Sequence, residues 1–110
     1  MKRSDNLFED IFHVARQVPH GRVTTYGAIA EYLQFGSPRI VGLAMHQSFM
    51  ALPPVPAHRV VNRNGDLTGR NHFRTPTMMQ ELLESEGVKV ENDRVQDFKK
   101  LVWYPADHLD

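Results

Sequence analysis

The chain contains no cysteine. That excludes disulfides, thiolate metal sites and a cysteine nucleophile. No apolar run reaches membrane-spanning length. The opening residues, Met1-Lys2-Arg3-Ser4-Asp5-Asn6, lack the apolar core of a signal peptide. These absences lead to the expectation of a cytoplasmic protein with no membrane partner. Overall charge is also missing, since basic and acidic residues cancel to zero. Lysine is absent between residues 11 and 80, where seven arginines face two acids, a net of +5. From 81 to 110 four basic and eight acidic residues give a net of −4. Arginine presents a planar fork suited to phosphate and base edges. A basic middle therefore fits a polyanion-binding face. An ordinary solvated surface explains the charges equally well.

What is present reads as one domain over residues 1–110. The length suffices for a modest core, and 41% hydrophobic with 24% charged residues is ordinary for a globular chain. Residues 4–18 carry Leu7, Ile11 and Val14 at helical spacing, with Ser4 or Asp5 as cap. Thr24 or Thr25 caps a second helix, Tyr26 to Leu33, which Gly36 breaks. Ser37-Pro38 opens a third helix, running to about Ser48. Two short helices across a tight turn make a helix-turn-helix pattern, with the third helix as the recognition helix. Arg39 falls in that helix's first turn, where a cation opposes the helix dipole at about 0.3–1 kcal/mol. Local rules prefer an acid there, and such violations are enriched at functional sites.

Pro53-Pro54-Val55-Pro56 stiffens the approach to Ala57-His58-Arg59, and Val60-Val61 leads back toward the core. Residues 60–68 are expected to form a hairpin around Asn64-Gly65, a pair that favours a type I′ turn. A further helix begins at Thr75 or Thr77 and ends at Gly87, and Val88 to Glu91 alternates like an edge strand. Val102-Trp103-Tyr104-Pro105 packs on the domain or on a partner, and the sequence leaves both open. The fold class is thus mainly α with a small β-hairpin, of the winged-helix or helix-turn-helix type.

Six histidines raise the question of a metal, but none pairs at the i, i+4 spacing of a helical zinc motif. Ser37, Ser48 and Ser85 fall in or beside helices rather than on a strained nucleophile turn. No glycine-rich phosphate loop is present. No metal and no cofactor are expected. From the residues alone, a nucleic-acid-binding domain is the best reading, with Tyr26 placed to meet a phosphate at a helix start.

Five ordered blocks then carry a resemblance. They are Val18-Pro19-x-Gly21-x-Val23-x-Thr25-Tyr26-Gly27-x-Ile29-Ala30, Arg39-x-Val41-Gly42-x-Ala44-Met45, Pro56-Ala57-His58-Arg59-Val60-Val61, Gly65-x-Leu67-x-Gly69 and Leu82-Leu83-x-x-Glu86-Gly87. Together they resemble the DNA-binding domain of the O6-alkylguanine-DNA alkyltransferases over about residues 5–90. The family's signature is Pro-Cys-His-Arg-Val, and here Ala57 replaces the cysteine, as in the alkyltransferase-like proteins. The resemblance implies that Arg39 is the finger that fills the gap left by a flipped nucleotide. It implies that Tyr26 pushes on the 3′ phosphate, and that Thr25 and Ala44 belong to the DNA-binding surface. The recognition helix would lie in the minor groove. His58 and Glu86 would be remnants of the relay that activates the cysteine. Tyr26, Met45, Ala57, Val60 and Arg70 would line the lesion pocket, with Arg70 in place of a pocket tyrosine. Gln47 to Leu52 lacks the usual Asn-Pro, and the separate N-terminal domain of many alkyltransferases lies outside the resemblance.

The resemblance thus implies a monomeric, non-enzymatic sensor, associated with the nucleoid when bound. It would hold O6-alkylguanine in double-stranded DNA and pass it to nucleotide excision repair proteins. Two alternatives remain: a hydrolytic enzyme using His58 and Glu86 to activate water against the alkylated base, and a winged-helix regulator that reads sequence.

Overall fold

The computed structural model describes residues 6–35 and 37–110. Helix α1, Leu7–Arg16, is capped by Asn6, whose side chain accepts from Glu9 N at 3.2 Å. The expected caps Ser4 and Asp5 lie outside the described residues. Ile11, Val14 and Ala15 are fully buried, as the spacing requires. Strand β1, Thr24–Thr25, leads straight into α2, Tyr26–Leu33. Thr25 is the cap, its hydroxyl accepting from Ala28 N at 2.9 Å. Helix α2 ends at Gln34 in the left-handed region, φ 61°; the expected breaker Gly36 lies outside the described residues. Ser37 caps α3, Pro38–His46, with Pro38 in the first turn. The helix stops before Ser48, which instead begins a 3₁₀ turn, Ser48–Met50.

A second 3₁₀ turn, Ala57–Arg59, delivers the chain to β2, Val60–Val61. Here the structure corrects the expected hairpin at 60–68. Strand β2 pairs in parallel with β1, Thr24 opposite Val60 and Thr25 opposite Val61. The turn itself exists: Gly65 N donates to Asn62 O at 2.9 Å, with Gly65 at φ +85°. The residues beyond this turn pair with the distant segment 93–95, because Leu67 N donates to Asp93 O and Val95 N to Gly65 O. After a 3₁₀ turn at Arg70–His72 comes α4, Met78–Ser85. The antiparallel hairpin is β3, Val90–Glu91, with β4, Arg94–Val95. Its two-residue turn, Asn92-Asp93, has both φ angles positive, as a type I′ turn demands. Short helices α5, Phe98–Leu101, and α6, Pro105–His108, close the chain.

The tail packs on the domain. Val23 N donates to Leu101 O and Trp103 N to Val23 O, extending β1 on its other side. The Trp103 ring stacks on His108 at 5.0 Å. The core has two parts. One gathers α1, α2 and α3 with Ala57 and Val60; the other gathers Val23, Val61, Leu67, Met79, Leu83 and the hairpin valines. Successive strand residues point to opposite faces, so Val60 serves the first part and Val61 the second. Among the described residues no helix is long and apolar enough to cross a membrane. The mainly helical class with a small hairpin is what the structure shows, with the hairpin displaced to residues 90–95.

Candidate nucleic-acid interface

The turn Ala57–Arg59 is fastened at both ends. Ala57 N donates to Val55 O at 2.8 Å and Arg59 N to Pro56 O at 2.9 Å. Upstream, the proline-rich approach is tied to α1, where Arg16 donates twice to Pro53 O. Downstream, Glu86 at the end of α4 gathers three donors. His58 Nε2 meets its Oε2 at 2.7 Å, Arg59 Nη2 meets the same oxygen at 2.7 Å, and Gly21 N donates to Oε1 at 3.0 Å. The second Arg59 amino group donates to Val18 O at 2.9 Å. One carboxylate thus joins the α1–β1 loop, the Ala57 turn and α4.

The electrostatics reflect these partners. Burial by itself would raise the Glu86 carboxyl, but the donors Arg59, Gly21 and His58 together outweigh it and hold it down to about 2. His58 moves below the ordinary histidine value, because burial disfavours its cation more than Glu86 favours it. Glu86 is ionised and accepts, so His58 carries its proton on Nε2.

Above the turn opens a cavity of about 270 Å³, at the small end of ligand pockets. Ala57 lies in its wall and is only 6% exposed. Tyr26 and Arg39 line it from the starts of α2 and α3; Gly42, Met45 and His46 line it from the rest of α3. Phe49, Thr68, Gly69, His72 and Phe73 complete it. The Tyr26 ring passes over Gly42, and its hydroxyl accepts from Thr68 Oγ1 at 3.3 Å. Burial pushes the Tyr26 phenol up, against a smaller opposing effect of the Thr68 hydrogen bond. Phe49 meets Phe73 edge to face at 4.8 Å. Arg39 is exposed, and no hydrogen-bond or ion-pair partner is present for it among the described residues. No carboxylate lines the cavity. Among the described residues no group of three or more His, Asp or Glu side chains is placed to hold a metal.

The sequence-predicted residues therefore divide. Tyr26, Arg39, Met45 and Ala57 meet at the cavity, and His58 and Glu86 lie bonded together behind it. Val60 does not line the cavity: it is 1% exposed and belongs to the core. Arg70 is turned away from it, donating to Leu67 O at 3.0 Å and facing Asp93 at 3.4 Å. Ala44 is fully buried among core side chains, so it offers no surface to DNA. The Thr25 hydroxyl is occupied as the α2 cap. Sequence reasoning missed His46, Phe49, His72 and Phe73. His46 was within reach, because Arg39, Gly42 and His46 fall at i, i+3, i+7 on one helical stripe. The other three come from loops whose course no periodicity records.

Comparison with known proteins places this geometry. Residues 6–88 match the family model described as the DNA binding domain of 6-O-methylguanine DNA methyltransferase. Alkyltransferase-like protein 1 of Schizosaccharomyces pombe is 32% identical, with 94% of this chain and 99% of that protein covered. A DNA base-flipping protein of Vibrio parahaemolyticus is 35% identical, with 92% and 99% covered. Among solved structures, S. pombe Atl1 in complex with damaged DNA containing O6-carboxymethylguanine is similar, with a TM-score of 0.78 at 28% identity. That likeness covers 93% of this chain and 98% of the other.

Proposed function

Because the chain belongs to the family defined by the DNA-binding domain of 6-O-methylguanine DNA methyltransferase, and has no cysteine to accept an alkyl group, we propose that it captures O6-alkylguanine in duplex DNA without repairing it. The relatives named as an alkyltransferase-like protein and a DNA base-flipping protein support damage binding by extrusion of a base. The observation that carries the reading is Ala57. Its methyl stands in the cavity wall beside Tyr26 and Arg39, while the bonds joining His58, Arg59 and Glu86 behind it are complete.

Helix α3 enters the minor groove in this reading. Arg39 fills the gap left by the extruded nucleotide, and Tyr26 bears on its 3′ phosphate. The base enters the cavity between Tyr26 and Met45, with the alkyl group toward Ala57. Extrusion costs a few kcal/mol, less for a weakly paired damaged base, which favours the lesion over guanine. A methyl side chain leaves more room than a thiol, so bulky alkyl groups are accommodated. The held lesion then serves as the signal for nucleotide excision repair.

His58 is not a cavity-lining residue and its Nε2 is committed to Glu86, which argues against hydrolysis through an activated water. The test is a binding titration of one duplex with guanine or O6-methylguanine at a single position, at fixed salt. Tighter binding of the lesion duplex is expected, with the adduct recovered unchanged by mass spectrometry. Equal affinities would refute capture.

A further inference from the structure

The arginines of the chain divide by what they touch. Arg16 donates to the Pro53 carbonyl, and Arg22 to the carbonyls of Leu101 and Val102. Arg59 and Arg94 are bonded to Glu86 and Asp66, and Arg70 faces Asp93. Among the described residues Arg39, Arg63 and Arg74 have no hydrogen-bond or ion-pair partner, and all three are exposed. Arg39 belongs to the Ala57 cavity. Arg63 lines a different cleft, of about 260 Å³, with Thr25, Gly27 and Ala28 from the start of α2. Tyr26 lies between Thr25 and Gly27 in the chain but turns to the Ala57 cavity. The first turn of α2 therefore separates the two concavities.

The turn that carries Arg63 is closely braced. The Asn62 side-chain oxygen accepts from Asn64 N at 3.0 Å and from Asp66 N at 2.8 Å, and the Asn62 amide donates to the Asp66 carboxylate at 3.2 Å. Gly65 N closes on Asn62 O, and the Phe98 ring packs against Gly65, where an added Cβ would meet it at 3.1 Å. Just before the turn, Val61 is paired with Thr25 in the β1–β2 ladder. These contacts fix the backbone on both sides of Arg63 and leave its side chain without a partner. A group presented on a braced turn binds at a smaller ordering cost. The acids nearby do not neutralise it. Asp66 is occupied by Arg94 and Asn62, and Glu31, on the same cleft one helical turn beyond Gly27, forms no ion pair with Arg63. Phe98 and Tyr104 complete the cleft. Both come from the tail, beyond the residues 6–88 that match the family model.

We propose that Arg63 is a second anchor on the duplex: its guanidinium grips a backbone phosphate of the damaged strand, adjoining the phosphate on which Tyr26 bears. The proposal rests on the capture reading, from which it takes the path of the strand at Tyr26. A strand that passes Tyr26 runs on over the other face of the same helical turn, where the unpartnered guanidinium stands. Such a contact reads no base, and it fixes the register in which the lesion meets the cavity.

The test uses the whole chain and one duplex with guanine or O6-methylguanine at a single position, titrated over a series of salt concentrations. Arg63→Gln is expected to weaken binding of both duplexes by about tenfold, as loss of one charge-assisted hydrogen bond does. It should lower the salt slope by about one and leave the preference for the lesion unchanged. Arg63→Lys keeps the charge and should restore the slope. Replacing one phosphate at a time around the lesion by a neutral methylphosphonate should weaken wild-type binding at the anchored position and add nothing there in Arg63→Gln. Thermal melts of the variants should match the wild type, since the side chain is exposed and bonded to nothing. An unchanged slope, or no phosphate coupled to Arg63, overturns the anchor while a wild-type preference for the lesion leaves capture standing. A loss confined to the lesion duplex also overturns it, because Arg63 would then read the lesion. Equal wild-type affinities for the two duplexes overturn capture, and with it the placement of Arg63 beside an extruded nucleotide.

Discussion

His58 donates through Nε2 to Glu86 across 2.7 Å, and in this chain that bond serves the fold. Both groups have folded-state values below their unfolded ones. The unfolded chain therefore binds more protons at acid pH, and stability rises with pH. His58's contribution is complete above the ordinary histidine value and declines as pH falls through it. Glu86's contribution is complete above the ordinary carboxyl value, 4.5, and is lost as pH falls toward about 2. Denaturant titrations from neutral to acid pH should show this decline. Glu86→Ala should cost about 3–5 kcal/mol at neutral pH, because it strands the Arg59 guanidinium, and should flatten the acid limb. An acid limb as steep as wild type would contradict the assignment.

Arg39→Ala separates binding from stability. The cation stands in the first turn of α3 against the helix dipole. Its removal should raise stability by about 0.3–1 kcal/mol. Lesion binding should fall by most of its free energy if the side chain fills the gap in the duplex. Thermal melts and lesion-duplex titrations on one preparation read both, and binding near wild type would refute the finger role.

Gly69 leaves room for the Tyr26 hydroxyl. A Cβ there would approach that oxygen to 3.2 Å, tighter than ordinary contact, although the φ of −88° is open to any residue. Gly69→Ala should cost less than about 1 kcal/mol of stability, as surface changes usually do. It should weaken lesion binding by a larger amount, because the tyrosine must shift within the cavity. Equal effects on both would place Tyr26 outside the binding event.

Thr24 is completely buried in β1, and its hydroxyl has no partner among the described residues. Thr24→Val keeps the shape and removes an unsatisfied oxygen. Stability should increase by about 1 kcal/mol, measured by chemical denaturation. A loss would mean that the hydroxyl finds a partner in solution.

The helices were legible because their signals are local. Thr25 and Ser37 cap the elements they precede, and the apolar spacing of Leu7 to Val14 marks the buried face of α1. Strand pairing was not legible, since nothing near Val60-Val61 announces a parallel partner at Thr24-Thr25. Asn64-Gly65 supplied a turn with no strands to join, while Asn92-Asp93 made the hairpin without a glycine. Arg70 was misplaced for the same reason: its direction is set by Asp93, which only the distant hairpin brings near. Tyr26, Arg39 and Ala57 were found because ordered motifs fix their elements. His72 and Phe73 depend on a loop path that only the folded chain defines.

The parallel ladder of two rungs joins the start of α2 to the end of the Ala57 turn, with one valine in each part of the core. Tyr26 and Ala57 therefore hang from a single cooperative seam. Separating the start of α2 from the Ala57 turn would require parting β1 from β2 and opening both core parts together, which is nearly global unfolding, whereas Phe49, His72 and Phe73 stand on walls outside that seam. The cavity thus has one side as durable as the fold, carrying Tyr26 and Ala57, and another whose shape the loops alone maintain.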